Sequence, residues 1–138
     1  MKKNFLLFTA ALALVVTTVA SAQTIKVKVN VPFNFVVNRA TLPAGEYLVQ
    51  SVDDEGKVLA IRDLNTNTTR LVTFNSCTSP KSASQTKLIF HRYGERYFLN
   101  QIWVEGNNSG HELSPSPREE EVAKDFSVRE VVLMAARR

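Results

Sequence analysis

The chain predicts a mainly β protein: an antiparallel sandwich or small barrel of about seven or eight strands, with one short C-terminal helix. Three observations carry that expectation. Apolar residues occupy successive odd positions from Ile25 to Val37. Hydrophobic segments with β-rich composition then recur between turn-forming clusters. A single stretch, from Ser116 onward, has the signature of a helix start.

Taken in order, Ile25, Val27, Val29, Val31, Phe33, Phe35 and Val37 alternate with Lys26, Lys28, Asn30 and Asn34. A period of two over that length signals a strand with one buried face. Pro32 lacks a ladder donor, so two consecutive short strands with a bend, or one bulged edge strand, are expected there. "NRATLPAGEY" reads as a turn, with Pro43 restricting φ and Gly45 supplying backbone freedom. "EYLVQSV" and "KVLAIRD" flank "DDEG" as a hairpin, and "TRLVTFN" is a further strand. Residues 75–86, "NSCTSPKSASQT", show no periodicity and read as a surface loop.

"KLIFHRY" and "RYFLNQIWV" form a second hairpin about Gly94-Glu95, the Gly-X order of a type II′ turn. That register sets Phe90 opposite Leu99, His91 opposite Phe98 and Arg92 opposite Tyr97. "EGNNSGHELSP" is a polar loop. Ser116, Pro117 and Glu119 then supply an N-cap, a first-turn proline and the third position of a capping box. Glu119, Glu120 and Glu121 suit the positive end of the helix dipole, and the helix should reach about Lys124 or Asp125. "SVREVVLMAA" is β-branched and reads as a closing strand, with continued helix as the alternative.

Lys2 and Lys3, an apolar run from Phe5 to Val19, and Ala20-Ser21-Ala22 have the layout of a cleavable secretory signal. The run is short for a bilayer span, which needs roughly 20 apolar residues. Residues 1–22 are therefore expected to be removed, leaving 23–138 as one β-rich domain that is exported to the periplasm or outside the cell. Losing Lys2 and Lys3 lowers the formal charge from +4 to about +2, too little and too scattered for nucleic acid. No membrane span is expected after cleavage. The lone Cys77 can form no internal disulfide, and "NSCTSP" places no charge beside it to activate a thiolate.

The aromatic stretch "FHRYGERYFLNQIWV" invites two readings. As a ligand surface, Arg92, Tyr93, Glu95, Arg96 and Tyr97 would offer rings and hydrogen bonds to a glycan or another flat ligand. As a structural hairpin, its aromatics pack in cross-strand pairs while its charges face water, and this reading leads. His91 and His111 have no metal-ligand spacing, and Asp53-Asp54-Glu55-Gly56 lacks the alternating oxygens of a calcium loop. The chain holds no nucleophile elbow, phosphate-binding glycine loop or C-x-x-C pair. "TLPAG" mimics a sortase signal, but Ala44 stands where that signal has threonine.

"VPFNFVVNRATLPAGEYLV", "KLIFHRYGERYFLNQIW" and "GHELSPSPREEEVAK" together resemble a class of small exported bacterial proteins. Its pattern is VPFxFxV, LPAGxY and FxRYGxxYFL followed by a short charged helix. The chain departs from it at Pro115–Pro117, where a basic residue is expected. The resemblance implies an exported location and a β-rich fold, and it implies no catalytic or binding residue.

The expected function is that of an exported, non-enzymatic binding or structural module, without metal or cofactor. Its partner would be a protein, a glycan or a small apolar ligand. The alternative is a small barrel that encloses an apolar ligand, as lipocalins do. An outer-membrane barrel and a hydrolase rank below both.

Overall fold

The computed structural model describes residues 25–53 and 57–137. The expected signal segment, its cleavage point and the tip of the first long hairpin lie outside those residues. Within them run β1 (Lys26–Val31), β2 (Phe35–Val37), β3 (Ala40–Leu42), β4 (Gly45–Ser51), β5 (Val58–Asp63) and β6 (Thr69–Thr73). There follow β7 (Asn75–Thr78), β8 (Lys87–Tyr93), β9 (Arg96–Trp103), β10 (Ser109–Glu112), α1 (Pro117–Ala123), β11 (Val128–Met134) and β12 (Ala136–Arg137).

The strands form two sheets. One has five strands in the order β12-β1-β4-β5-β6. The other has seven, with β11-β8-β9-β10-β7 as its main path and β2 and β3 attached beside β9. The chain passes from one sheet to the other after Val31, at Pro43-Ala44, at Phe74 and at Ala135, each time over a very short link. The sheets nevertheless stay separate, so the architecture is a sandwich and not a closed barrel. Pairing is antiparallel throughout except for one parallel bridge, Val36 to Phe98.

The alternating N-terminal run divides as its proline requires. Ile25, Val27, Val29 and Val31 are buried from the five-stranded side, and exposed Pro32 marks the bend into the other sheet. Phe35 and Val37 then enter the same core from the opposite side. Val36 is buried as well, against strict alternation, because it joins Tyr93, Phe98 and Val122 in a second cluster. That cluster lies on the outer face of the seven-stranded sheet, where α1 covers it.

Aromatic rings fill the space between the sheets. Phe90 receives Phe33 and Phe35 edge-on, with ring centroids 5.0 and 5.5 Å away. Phe35 in turn meets Tyr47 at 5.1 Å. Such edge-to-face pairs contribute roughly 0.5–1.5 kcal/mol each beyond area burial. Tyr47 donates its hydroxyl to the Pro43 carbonyl, tying the start of β4 to the core. Burial, with help from Asp63, pushes its phenol up to about 12, so it stays a neutral donor.

The structure corrects three local expectations. "NRATLPAGEY" is not a single turn: β2 and β3 form a tight hairpin about Asn38-Arg39 before Pro43 leads into β4. Gly45 is close to extended, with φ 159°, and a Cβ there would lie 2.9 Å from the movable Asn65 amide nitrogen. Residues 75–86 are not wholly loop, nor is the stretch after Val104. Asn75–Thr78 and Ser109–Glu112 pair with each other as β7 and β10. These additions raise the strand count among the described residues to twelve. Short polar strands held by backbone bonds need no apolar stripe, so periodicity does not reveal them.

Candidate functional site

The β8–β9 hairpin has the register expected from its two-residue turn: Phe90 faces Leu99, His91 faces Phe98 and Arg92 faces Tyr97. Gly94 has φ 61°, and Glu95 is not among the residues with positive φ, which defines a type II′ turn. Even-numbered Leu88 and Phe90 enter the core between the sheets. Odd-numbered His91 and Tyr93 point to the outer face, toward α1.

The five candidate ligand residues therefore separate. Tyr97 is stacked flat on Phe33, 3.8 Å between centroids and 14° between planes. Arg92 lies 5.3 Å from the Tyr97 ring centroid and donates from Nε to the Gly94 carbonyl at 2.7 Å. Both are occupied in holding the hairpin. Tyr93, Glu95 and Arg96 do come together, in a surface groove of about 540 Å³. Its far wall is Arg118, Glu121 and Val122 of α1, continued by Asp125 and Phe126.

An exposed aromatic platform is thus not what the hairpin offers. Tyr93 is buried and forms the floor, packed edge-on against Phe98 at 5.7 Å. The exposed ring is Phe126, 53 % accessible, which sequence reasoning passed over. Its spacing four residues after Val122 is the signal that was present. The groove combines that ring with two cations and three carboxylates: Arg96 and Arg118 against Glu95, Glu121 and Asp125.

Beneath the same helix lies a buried polar pair. Ser116 caps α1 as expected, its Oγ accepting from the Glu119 amide at 3.2 Å. Glu119 does not complete the reciprocal half of a capping box. Its side chain turns inward, and Oε1 lies 3.5 Å from Nδ1 of His91. That contact satisfies the distance of an ion pair but not the geometry of a hydrogen bond, so Oε1 stays buried without a hydrogen-bond partner. Glu119 is 4 % exposed. Burial pushes its carboxyl above the ordinary range, His91 pulls it back, and Glu120 pushes it up again; burial dominates. Burial and Glu119 also raise the Tyr93 phenol.

A larger cleft of about 930 Å³ opens between the edge strand β6 and the β2–β3 turn. The β2–β3 turn, β6 and the segment before α1 line it, bringing Arg39, Thr69, Arg70, Leu71, Ser114 and Ser116 around one space.

Other polar groups serve the framework. Gln101 donates to Glu112 at 2.7 Å and accepts from the Trp103 indole at 2.9 Å. Trp103 lies on Gly110, where a Cβ would be 2.8 Å from the indole. It is buried on the outer face of its sheet and not between the sheets, with the 79–84 segment beside it. Cys77 is a partly buried free thiol, raised by burial and by Glu112, which leaves it protonated. Among the described residues no three His, Cys, Asp or Glu side chains gather as metal ligands. No helix there is long and apolar enough to cross a membrane.

No protein family, curated protein or solved structure matches the chain. The class of protein that fold and groove define is a two-sheet β-sandwich with one helix laid across its outer face.

Proposed function

We propose that the chain is an exported, non-enzymatic binding module and that it binds in the groove between the β8–β9 turn and α1. The observation that carries this reading is the groove itself. An apolar floor of Tyr93 and Val122 and the exposed Phe126 ring are surrounded by charges of both signs. Such a lining suits a protein or peptide segment that brings an apolar side chain between charged neighbours. Packed aromatic rings between the sheets support a module over a barrel built to enclose an apolar ligand.

Site-specific photocrosslinking in the exporting cell tests the site. With benzoylphenylalanine at position 126 or 96, one discrete adduct is expected, and it should be absent with the same probe at position 73 on β6. Adducts of equal yield at all three positions, or none at 126 and 96, would refute the groove. Export has its own check: N-terminal sequencing of the recovered protein should read Gln23-Thr24-Ile25, and a retained Met1 would defeat that part.

A further inference from the structure

We infer that the cleft between β6 and the β2–β3 turn is a second binding site, for a small organic polyanion carrying at least two carboxylate or phosphate groups. The inference is independent of the groove beside α1.

It starts from the alternation of the strands that enclose the core. On β6 and the residue after it, Phe74 and Val72 face inward, and two residues further along the same row comes Arg70. On the opposing sheet Phe35 and Val37 face inward, and two residues beyond Val37, in the β2–β3 turn, comes Arg39. The β6 row therefore ends in Arg70, and the β2–β3 turn places Arg39 in the lining of the same cleft from the other wall. Asn38, with φ 55°, makes the tight turn that sets Arg39 there.

The chemistry of the lining is one-sided. It contains two guanidinium groups, the hydroxyls of Thr69, Ser114 and Ser116, and no carboxylate. Neither arginine meets a carboxylate among the described residues. The groove beside α1 balances its cations with acids; this cleft does not. A guanidinium presents a planar fork of donors that matches a carboxylate or phosphate with two parallel hydrogen bonds. Two such forks on opposite walls select a ligand with two anionic groups. Two anionic groups that reach both walls at once need a body between them, which favours an organic molecule over a bare inorganic ion. A volume of about 930 Å³ holds a molecule of that kind.

Isothermal titration of the folded protein at physiological ionic strength tests this, with citrate and inositol hexakisphosphate as the two probes and choline as a cationic control. Saturable binding of at least one polyanion is expected. Tighter citrate binding would assign a carboxylate ligand, and tighter inositol phosphate binding a phosphate ligand. Arg39→Gln and Arg70→Gln should each weaken it by about tenfold or more. Arg70→Lys should recover only part, because it restores charge without the fork. Arg96→Gln, in the other groove, should leave the affinity unchanged, and melting curves of all variants should overlay that of the parent. Absence of saturable binding for both polyanions, or equal affinity in parent and both Arg→Gln variants, would overturn the inference.

Discussion

Glu119→Gln probes the contact that seats α1 on the sheet. The carboxylate is almost fully buried, and its Oε1 has only the imperfect approach of His91 at 3.5 Å. An unsatisfied buried polar group costs about 1–3 kcal/mol, and more when it is charged. The sign of the pH dependence follows from the raised carboxyl. A folded-state pKa above the unfolded one means that the native state binds the extra proton. The associated stability is present below the ordinary carboxylate range and is lost as pH rises through the raised value. Groups facing the pair modify this without reversing it: Glu120 on α1 and Tyr93 on β8 are joined by Glu130, which lies opposite His91 on β11. Glutamine cannot ionise, and its amide can donate to His91. The variant should match the parent near pH 4 and exceed it at pH 8 by about 1–3 kcal/mol, the cost relieved. Urea melts at the two pH values give the difference. Amide exchange at Phe126, whose N–H bonds the Val122 carbonyl at 3.2 Å, tells whether the change resides in the helix. Equal pH slopes in parent and variant, or a variant weaker than the parent at pH 8, would refute the reasoning.

Other substitutions test the framework. Gly94→Val should cost more than about 1 kcal/mol in denaturant melts, because φ is 61° and a Cβ would lie 3.3 Å from Phe126. Glu95→Ala, on the exposed side of the same turn, should stay within about 0.5 kcal/mol. Phe35→Ala should lose about 3–5 kcal/mol through a core cavity. Asn34→Ala should lose about 1 kcal/mol in the same urea melts, since its Oδ1 accepts from the Ala44 amide at 3.0 Å. Trp103→Ala should lower the melting temperature by many degrees in a calorimetric scan, since it removes the ring that covers Gly110. A parent-like melting temperature would mean that the indole is dispensable there.

Features set by neighbouring residues could be read directly from the chain. Alternation between Ile25 and Val37, broken by Pro32, foretold strand structure interrupted at the proline, with two strands and a bend as one of its two forms. A two-residue turn sets the register of the residues beside it, so Gly94-Glu95 was enough to pair Phe90 with Leu99; beyond Phe90 a bulge shifts it, and Ile89 faces Gln101. Ser116 and Pro117 begin a helix by local hydrogen bonding and fixed φ, whatever packs against it. The mainly β class follows from the same local preferences repeated along the chain.

Tertiary structure decided the rest, because it depends on which distant surfaces bury each other. Val36 breaks the alternation only because α1 covers the outer face of its sheet. Glu119 has the sequence of a capping-box residue, yet His91 lies beneath the helix and draws the carboxylate inward. β7 and β10 are too polar to announce themselves, and they exist because each completes the other's backbone hydrogen bonds. Arg39 and Arg70 lie 31 positions apart in the numbering and share no motif. Only the packing of one sheet on the other brings both guanidinium groups to the mouth of a single cleft.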